Sequence, residues 1–269
     1  MFRHVLSMFK STNQPYPNNG TLRNGTRIRK LPSKFTSGQV SQYLSVIEYN
    51  PTYSAEDIAA SAFPVNLETL GRIMLLHHLT FPFENTQMHY TPEHDMQVIP
   101  RLLLPRFLED KNGSYCFGHH GILLEVLRGL GFRLDTPDPS AGQWVLEVGH
   151  RKSIDAPETW KRLFAFPETE CWITDTLYAS YVVSKATELQ TVFNETVICV
   201  KVYTVDEGVD NLSSRRVKKS FGAKSEVMRT FESELDRIRA LREIFGIKIR
   251  DEDEEYIKGR EAALDVQST

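Results

Sequence analysis

The residue with the most chemistry to offer is Cys116. It lies in Gly113-Ser114-Tyr115-Cys116-Phe117, directly before a run with helical spacing. A thiol at a helix N-terminus faces unpaired backbone N–H groups and the positive end of the helix dipole, which favours the thiolate and nucleophilic chemistry. The preceding Gly and Ser leave room for a substrate to approach. The alternative is a small buried hydrophobe, a common fate for a free cysteine. A nucleophilic thiol needs a base. His119 and His120 stand three and four residues on, so one of them shares the thiol's helical face. His150, with Asp155 five residues further, lies in a segment that reads as an exposed hairpin turn (Gly149, Arg151, Lys152, Ser153). His77, His78 and His89 read as packing or surface residues. The eight histidines show no HExxH-type order, and Cys116, Cys171 and Cys199 lack zinc-site spacing, so no metal is expected.

These residues must be positioned by ordered elements. Gln42–Tyr49 opens the structured part. Asn66 caps a helix carrying Leu67, Leu70, Met74 and Leu75, which Pro82 stops. A second helix covers Val98–Leu108, interrupted or begun near Pro100. The third runs from Cys116 to Leu130, with Leu123, Val126, Leu127 and Leu130 on one face, Glu125 and Arg128 elsewhere, and Gly131 at its C′ position. Asp135–Gly142 is a loop. Trp144–Val148 and Thr196–Tyr203 are strands, the second apolar enough to be buried on both faces. Glu226–Phe245 returns to helical spacing, with Phe231, Leu235, Ile238, Leu241 and Ile244/Phe245 on one face. Asp251–Glu255 begins a last, acidic and solvated helix rather than a cation or partner site. Helices, then strands, then helices argue for α+β.

The chain has 269 residues, 41% hydrophobic and 25% charged, a globular composition with a net charge of −3. That balance gives no reason to expect nucleic acid, and no apolar run is long enough for a membrane span. Too few cysteines for a disulfide framework suggest a reducing compartment, the cytoplasm. Met1 to Ile47 holds seven basic residues and no acid, and its first forty residues are rich in Asn, Ser, Thr, Gly and Pro. This reads as a flexible basic arm; a mitochondrial transit peptide is the alternative, and a secretory signal does not fit.

Several motifs in order resemble a family. Pro82-Phe83-Glu84-Asn85, Met88-His89-Tyr90, Gly113-Ser114-Tyr115-Cys116-Phe117 and Leu127-Arg128-Gly129-Leu130-Gly131-Phe132 are similar to those of arylamine N-acetyltransferases. Ala165–Glu170, Phe193–Lys201 and Arg242–Arg260 resemble the fungal branch, so the likeness runs over roughly residues 42–264. It implies a helical bundle with a cysteine-protease-like core, a β-barrel and a C-terminal α/β lid. The implied domains are an arm at 1–41, the bundle at 42–134, a truncated barrel at 135–204 and the lid at 205–269. It also implies ping-pong acetyl transfer from acetyl-CoA, through Cys116, to an arylamine or hydrazine nitrogen, as in xenobiotic metabolism. Acetyl-CoA is then a substrate, and no permanently bound cofactor is expected. Glu84 and Asn85 would hold loop backbone. Thr191 and Phe193 fall where the family has a Ser and a Phe beside the coenzyme, although the Pro of that motif is absent.

The family's catalytic His and Asp have no counterpart. If Trp144 matches the Trp that precedes the histidine, Leu146 stands at the histidine's position. If Trp144–Val148 matches a later barrel segment, which keeps Trp160, Phe166, Glu168 and Glu170 in register, the block carrying both residues is absent. Two main readings follow: an acetyltransferase acting through Cys116, or an impaired or inactive member, real or produced by a mis-joined coding sequence. Another cysteine acyltransferase or hydrolase with a surrogate histidine is a third. A barrel short of strands is expected to leave unpaired edges and to favour self-association.

Overall fold

The computed structural model describes residues 32–132, 143–150, 159–167, 173–204, 208–221 and 224–264. The chain divides into two compact units, one of residues 1–31 and 133–172, the other of 32–132 and 173–269.

In the larger unit, the helix starts are written in local side-chain chemistry. Thr36, Ser54 and Asn66 cap α1 (Ser37–Val46), α2 (Ala55–Ala59) and α3 (Leu67–Thr80), each in a reciprocal capping box. Pro100 occupies the first position of α4 (Pro100–Leu108), where its missing N–H costs nothing. α5 (Cys116–Gly129) ends in a Schellman motif: Gly131, at φ +96°, donates to the Arg128 carbonyl and Phe132 donates to that of Leu127.

Helix α3 turns a different face inward from the one its leucines suggest. Leu67, Met74 and Leu75 are 67%, 42% and 47% exposed, whereas Ile73 and His77 are buried. The inward stripe includes His77 because its ring nitrogens find partners inside, Tyr43 and His119. Glu125 on α5 is likewise buried. Its carboxylate accepts the Lys34 N–H at 2.6 Å and an Arg128 N–H at 3.0 Å, and its carbonyl accepts the Ser33 hydroxyl. Order therefore begins inside the segment expected as a flexible arm over 1–41: Ser33 and Lys34 are docked, and α1 begins at Ser37.

After α5 the larger unit resumes with α6 (Ile173–Lys185), which the sequence reading missed, and the short α7 (Val192–Glu195). Five antiparallel strands of this unit form one sheet. Numbered along the whole chain, they are β1 (Phe83–Glu84), β4 (Ile198–Val202), β5 (Val209–Ser213), β6 (Arg216–Phe221) and β7 (Lys224–Thr230), adjacent in that order. The register sets Lys201, Asp210, Lys219 and Glu226 side by side, a cross-strand row of alternating charge. A domain boundary at 204 would separate β4 from β5, its hydrogen-bonded neighbour. In β4 only Cys199 is fully buried, so the strand is not buried on both faces as its apolar run suggests. The helix expected from Glu226 starts later, because β7 occupies 224–230; α8 spans Glu234–Glu243, capped by Ser233.

The sheet and α8 share a core built from Val197, Cys199, Leu212, Val217, Phe231, Ile238, Leu241 and Phe245. Fully buried Arg237 is matched there: it donates to Glu234 at 2.6 and 2.8 Å, to the Tyr90 hydroxyl at 3.0 Å and to the Ala262 carbonyl at 2.9 Å. The acidic segment near the C-terminus is a 3-10 helix, Asp251–Ile257. It is not wholly solvated, for Asp253 is buried against the Arg250 guanidinium.

In the smaller unit, β2 (Gln143–His150) and β3 (Thr159–Pro167) pair antiparallel from Gln143↔Pro167 to His150↔Thr159, with a register shift at Leu146/Glu147. The strand expected at Trp144–Val148 lies within β2. Asp155, Glu168, Glu170 and Cys171 fall outside the described residues, and so do residues 1–31 of the arm. No helix among the described residues is long and apolar enough to cross a membrane.

Candidate active site

Cys116 is the first residue of α5, half-buried, with a free thiol. The turn before it is fastened on several sides. The Glu84 N–H donates to the Ser114 carbonyl at 3.0 Å, and Arg106 Nε donates to that of Gly113 at 3.0 Å. The Tyr115 hydroxyl is hydrogen-bonded to Ser180 Oγ on α6, and burial pushes its pKa up to about 12. Ser184, one turn along α6, donates to Asp95 at 2.9 Å. The position is thus fixed by contacts far apart in sequence, which no local pattern reveals.

The electrostatics differ from the expectation for a thiol at a helix start. Burial pushes the Cys116 thiol above its ordinary value, against the opposing pull of the Phe117 and Cys116 backbone N–H groups. Desolvation outweighs the helix terminus here because no charged partner among the described residues contributes to the shift.

His119 is buried, with Nδ1 2.8 Å from His77 Nε2, and Nε2 3.0 Å from the Pro82 carbonyl and 3.3 Å from the Ser114 N. Both ring nitrogens are occupied away from a thiol, and burial lowers its pKa to about 4. His120 is exposed, and partial desolvation lowers its pKa. The backbone of His150 ends β2. His89 is buried at Asn85 and the Phe193 carbonyl, and burial and nearby Arg260 and Arg237 lower its pKa to about 3. Among the described residues no group of three His, Cys, Asp or Glu side chains is arranged to hold a metal ion.

Glu84 and Asn85 both hold backbone. Glu84 accepts the Thr86 N–H at 2.6 Å and pairs with Arg106 at 2.7 Å. Asn85 accepts the Ile198 N–H at 2.7 Å and donates to the Phe193 and Thr196 carbonyls, joining the Cys116 region to the start of β4. Phe193 lies beside the site, its ring 5.8 Å from that of Tyr115 and 6.3 Å from that of Phe83. Thr191 stands at the start of α7, where its hydroxyl donates to the Val183 carbonyl and accepts from Asn194.

Residues 66–152, which include this whole turn, match the model of the N-acetyltransferase family. A stretch of 116 residues is 31% identical to the arylamine N-acetyltransferase of Escherichia coli, covering 43% of this chain and 38% of that protein. Over these residues the chain is similar to the arylamine N-acetyltransferases. The matched stretch thus takes in well under half of the Escherichia coli enzyme's length. An N-malonyltransferase of Fusarium pseudograminearum is 19% identical along 92% of its length and 82% of this chain. That alignment runs for 317 positions, more than the chain has residues, so part of the fungal transferase has no counterpart here. Among solved structures, the arylamine N-acetyltransferase of Salmonella typhimurium superposes with a TM-score of 0.63 at 14% identity, covering 81% of this chain and 94% of that one. The fold is therefore that of the arylamine N-acetyltransferases, a mixed α+β arrangement with an open five-stranded antiparallel sheet.

Proposed function

We propose that this chain is an acyl-CoA-dependent N-acyltransferase of the fungal branch, working through Cys116. The observation that carries the proposal is the position of Cys116: a half-exposed thiol at the first residue of α5, on a turn fastened from three elements, within the segment that matches the family. In the first half-reaction the Cys116 sulfur attacks the thioester carbonyl of acetyl-CoA. A new C–S bond forms, the bond to coenzyme A sulfur breaks, and the released coenzyme takes up the proton the cysteine gave. In the second, an arylamine or hydrazine nitrogen attacks the enzyme thioester. A C–N bond forms, the cysteine sulfur leaves, and the nitrogen's proton returns to it. Acetyl-CoA is a substrate, and no resident cofactor is required. Phe193, packed beside Tyr115, would border the acyl group, and Thr191 the coenzyme side. The likeness to a fungal N-malonyltransferase makes malonyl-CoA the second donor to try.

One observation favours a second reading, an impaired or inactive member. Among the described residues no histidine or carboxylate is paired with Cys116, and its thiol is pushed up by burial. Loss of the base and its orienting acid removes several orders of magnitude from such a reaction.

The test is intact mass after brief exposure to acetyl-CoA or malonyl-CoA, beside Cys116→Ala. A single acyl adduct that needs Cys116 supports the transferase. A folded protein without an adduct supports the inactive member, and sequencing the transcript across residues 134–143 then asks whether coding segments have been lost.

A further inference from the structure

A line of three buried side chains reaches the turn that presents Cys116. The Tyr43 hydroxyl is 2.7 Å from His77 Nδ1, His77 Nε2 is 2.8 Å from His119 Nδ1, and His119 Nε2 is 3.0 Å from the Pro82 carbonyl oxygen. All three are buried, and burial holds both imidazoles neutral by lowering their pKa values. A neutral imidazole has one N–H, so the line admits two proton arrangements.

In the first arrangement Tyr43 donates to His77, His77 Nε2–H donates to His119, and His119 Nε2–H donates to the Pro82 carbonyl. Every donor and acceptor in the line is used. In the second the protons run the other way. His119 Nε2 accepts the Ser114 N–H at 3.3 Å, His119 Nδ1–H donates to His77, and His77 Nδ1–H donates to Tyr43. The buried Tyr43 proton then has no acceptor among the described residues, and the Pro82 carbonyl loses the imidazole donor. The first arrangement takes the His119 acceptor from the buried Ser114 N–H, which the parallel bridge of Phe83 and Ser114 keeps beside the Pro82 carbonyl; it has the shorter contact and leaves no side-chain group of the line unmatched, so it is the one the packing selects.

The Pro82 carbonyl lies directly against the nucleophile turn. A Cβ on Gly113 would sit 1.6 Å from that oxygen, and Phe83 and Ser114 form a parallel bridge beside it. We propose that His119 is a positioning residue for Cys116: held as its Nε2–H tautomer by His77 and Tyr43, it fixes the Pro82 carbonyl against Gly113 and so sets where α5 begins. The proposal takes Cys116 as the nucleophile, as above. If the clamp is lost, the turn is free to shift, and the thiol moves relative to the Phe117 and Cys116 N–H groups that favour its ionised form.

The test uses the full chain. Long-range proton–nitrogen correlation spectra of protein with labelled histidines should show His77 and His119 both protonated at Nε2. In Tyr43→Phe, which lacks the terminal donor, the two rings should lose that uniform tautomer. Alkylation of Cys116 by iodoacetamide, resolved by peptide mass, should slow about tenfold in His119→Ala, the equivalent of about one unit in the thiol's pKa. His119→Gln, whose amide can still donate to Pro82, should react near the wild-type rate, with circular dichroism showing which variants are folded. Nδ1-protonated His119 in the wild type overturns the proposal. So does a His119→Ala protein that alkylates as fast as wild type, or a folded His119→Gln as slow as folded His119→Ala. If His119→Ala does not fold, the tautomer spectra and the glutamine variant decide. Alkylation needs no acyl-CoA, so an absent acyl adduct counts against the transferase reading and leaves this result standing.

Discussion

Gly113 lies so close to the Pro82 carbonyl that a Cβ would come within 1.6 Å of its oxygen and 3.2 Å of His119 Nε2. The nearer atom is backbone, with no flexible end to swing away. Gly113→Ala must therefore force the two segments apart and break the Glu84-to-Ser114 hydrogen bond beside them. A loss of about 3 kcal/mol in a urea titration, or failure to fold, is expected. A variant within about 1 kcal/mol of wild type would show that the turn is not packed this tightly.

Glu84 is fully buried, and its nearest cation is Arg106, 2.7 Å away with a mostly buried side chain. Removing the guanidinium leaves a carboxylate in a dry site with, among the described residues, Thr86 alone to satisfy it. Arg106→Met should cost about 3–5 kcal/mol, whereas Glu84→Gln together with Arg106→Met should cost clearly less than the two single losses combined. A double-mutant cycle in urea measures this, and strict additivity would mean that the pair is not coupled.

His77, His89 and His119 are all buried and neutral, with pKa values below the ordinary imidazole value, about 3 for His89 and about 4 for His119. Because the unfolded chain takes up these protons more readily, stability is greatest above about pH 6.5 and falls as the pH drops from there towards 4. His119 alone accounts for roughly 3 kcal/mol over that interval. Urea midpoints at pH 7.5, 6 and 5 should decline steadily, with a smaller decline in His119→Gln. Equal midpoints at all three would mean that these rings are not buried in solution.

The parts of the fold that could be read from sequence are those specified locally. Asn66, Pro100 and Gly131 mark helix ends because caps and turns depend on a few adjacent atoms. The face of α3 could not be read, since the burial of His77 depends on Tyr43 and His119, 34 and 42 residues away. The burial of Glu125 is hidden from the sequence for a similar reason: a partner of its carboxylate is the Lys34 N–H, 91 residues distant. From Glu226 onward β7 reads as helix in the sequence, because 224–230 acquires its strand character by pairing with β6, and most of its residues are exposed, leaving little apolar alternation to detect. At the site, the Cys116 turn was legible as a motif. Its pKa direction was not, because the helix start is visible in sequence and the desolvation around it is not.

The same desolvation leads to the last expectation. Burial pushes the Cys116 thiol above its ordinary value, and among the described residues the opposing contributions are the two backbone N–H groups at the start of α5. A thiol in that state is almost wholly protonated at neutral pH, and its reaction with iodoacetamide should rise with pH to a midpoint above that of an ordinary cysteine. Acyl transfer limited by thiolate should then rise with pH over the same range, without the acidic optimum that a thiolate–imidazolium pair confers. The measurement is the alkylation rate of Cys116, resolved by peptide mass, from neutral pH upward. A midpoint below the ordinary value would require a cation beside the sulfur. Repeating it with His150→Gln and His120→Gln would then identify the source: the variant that restores the high midpoint names the base.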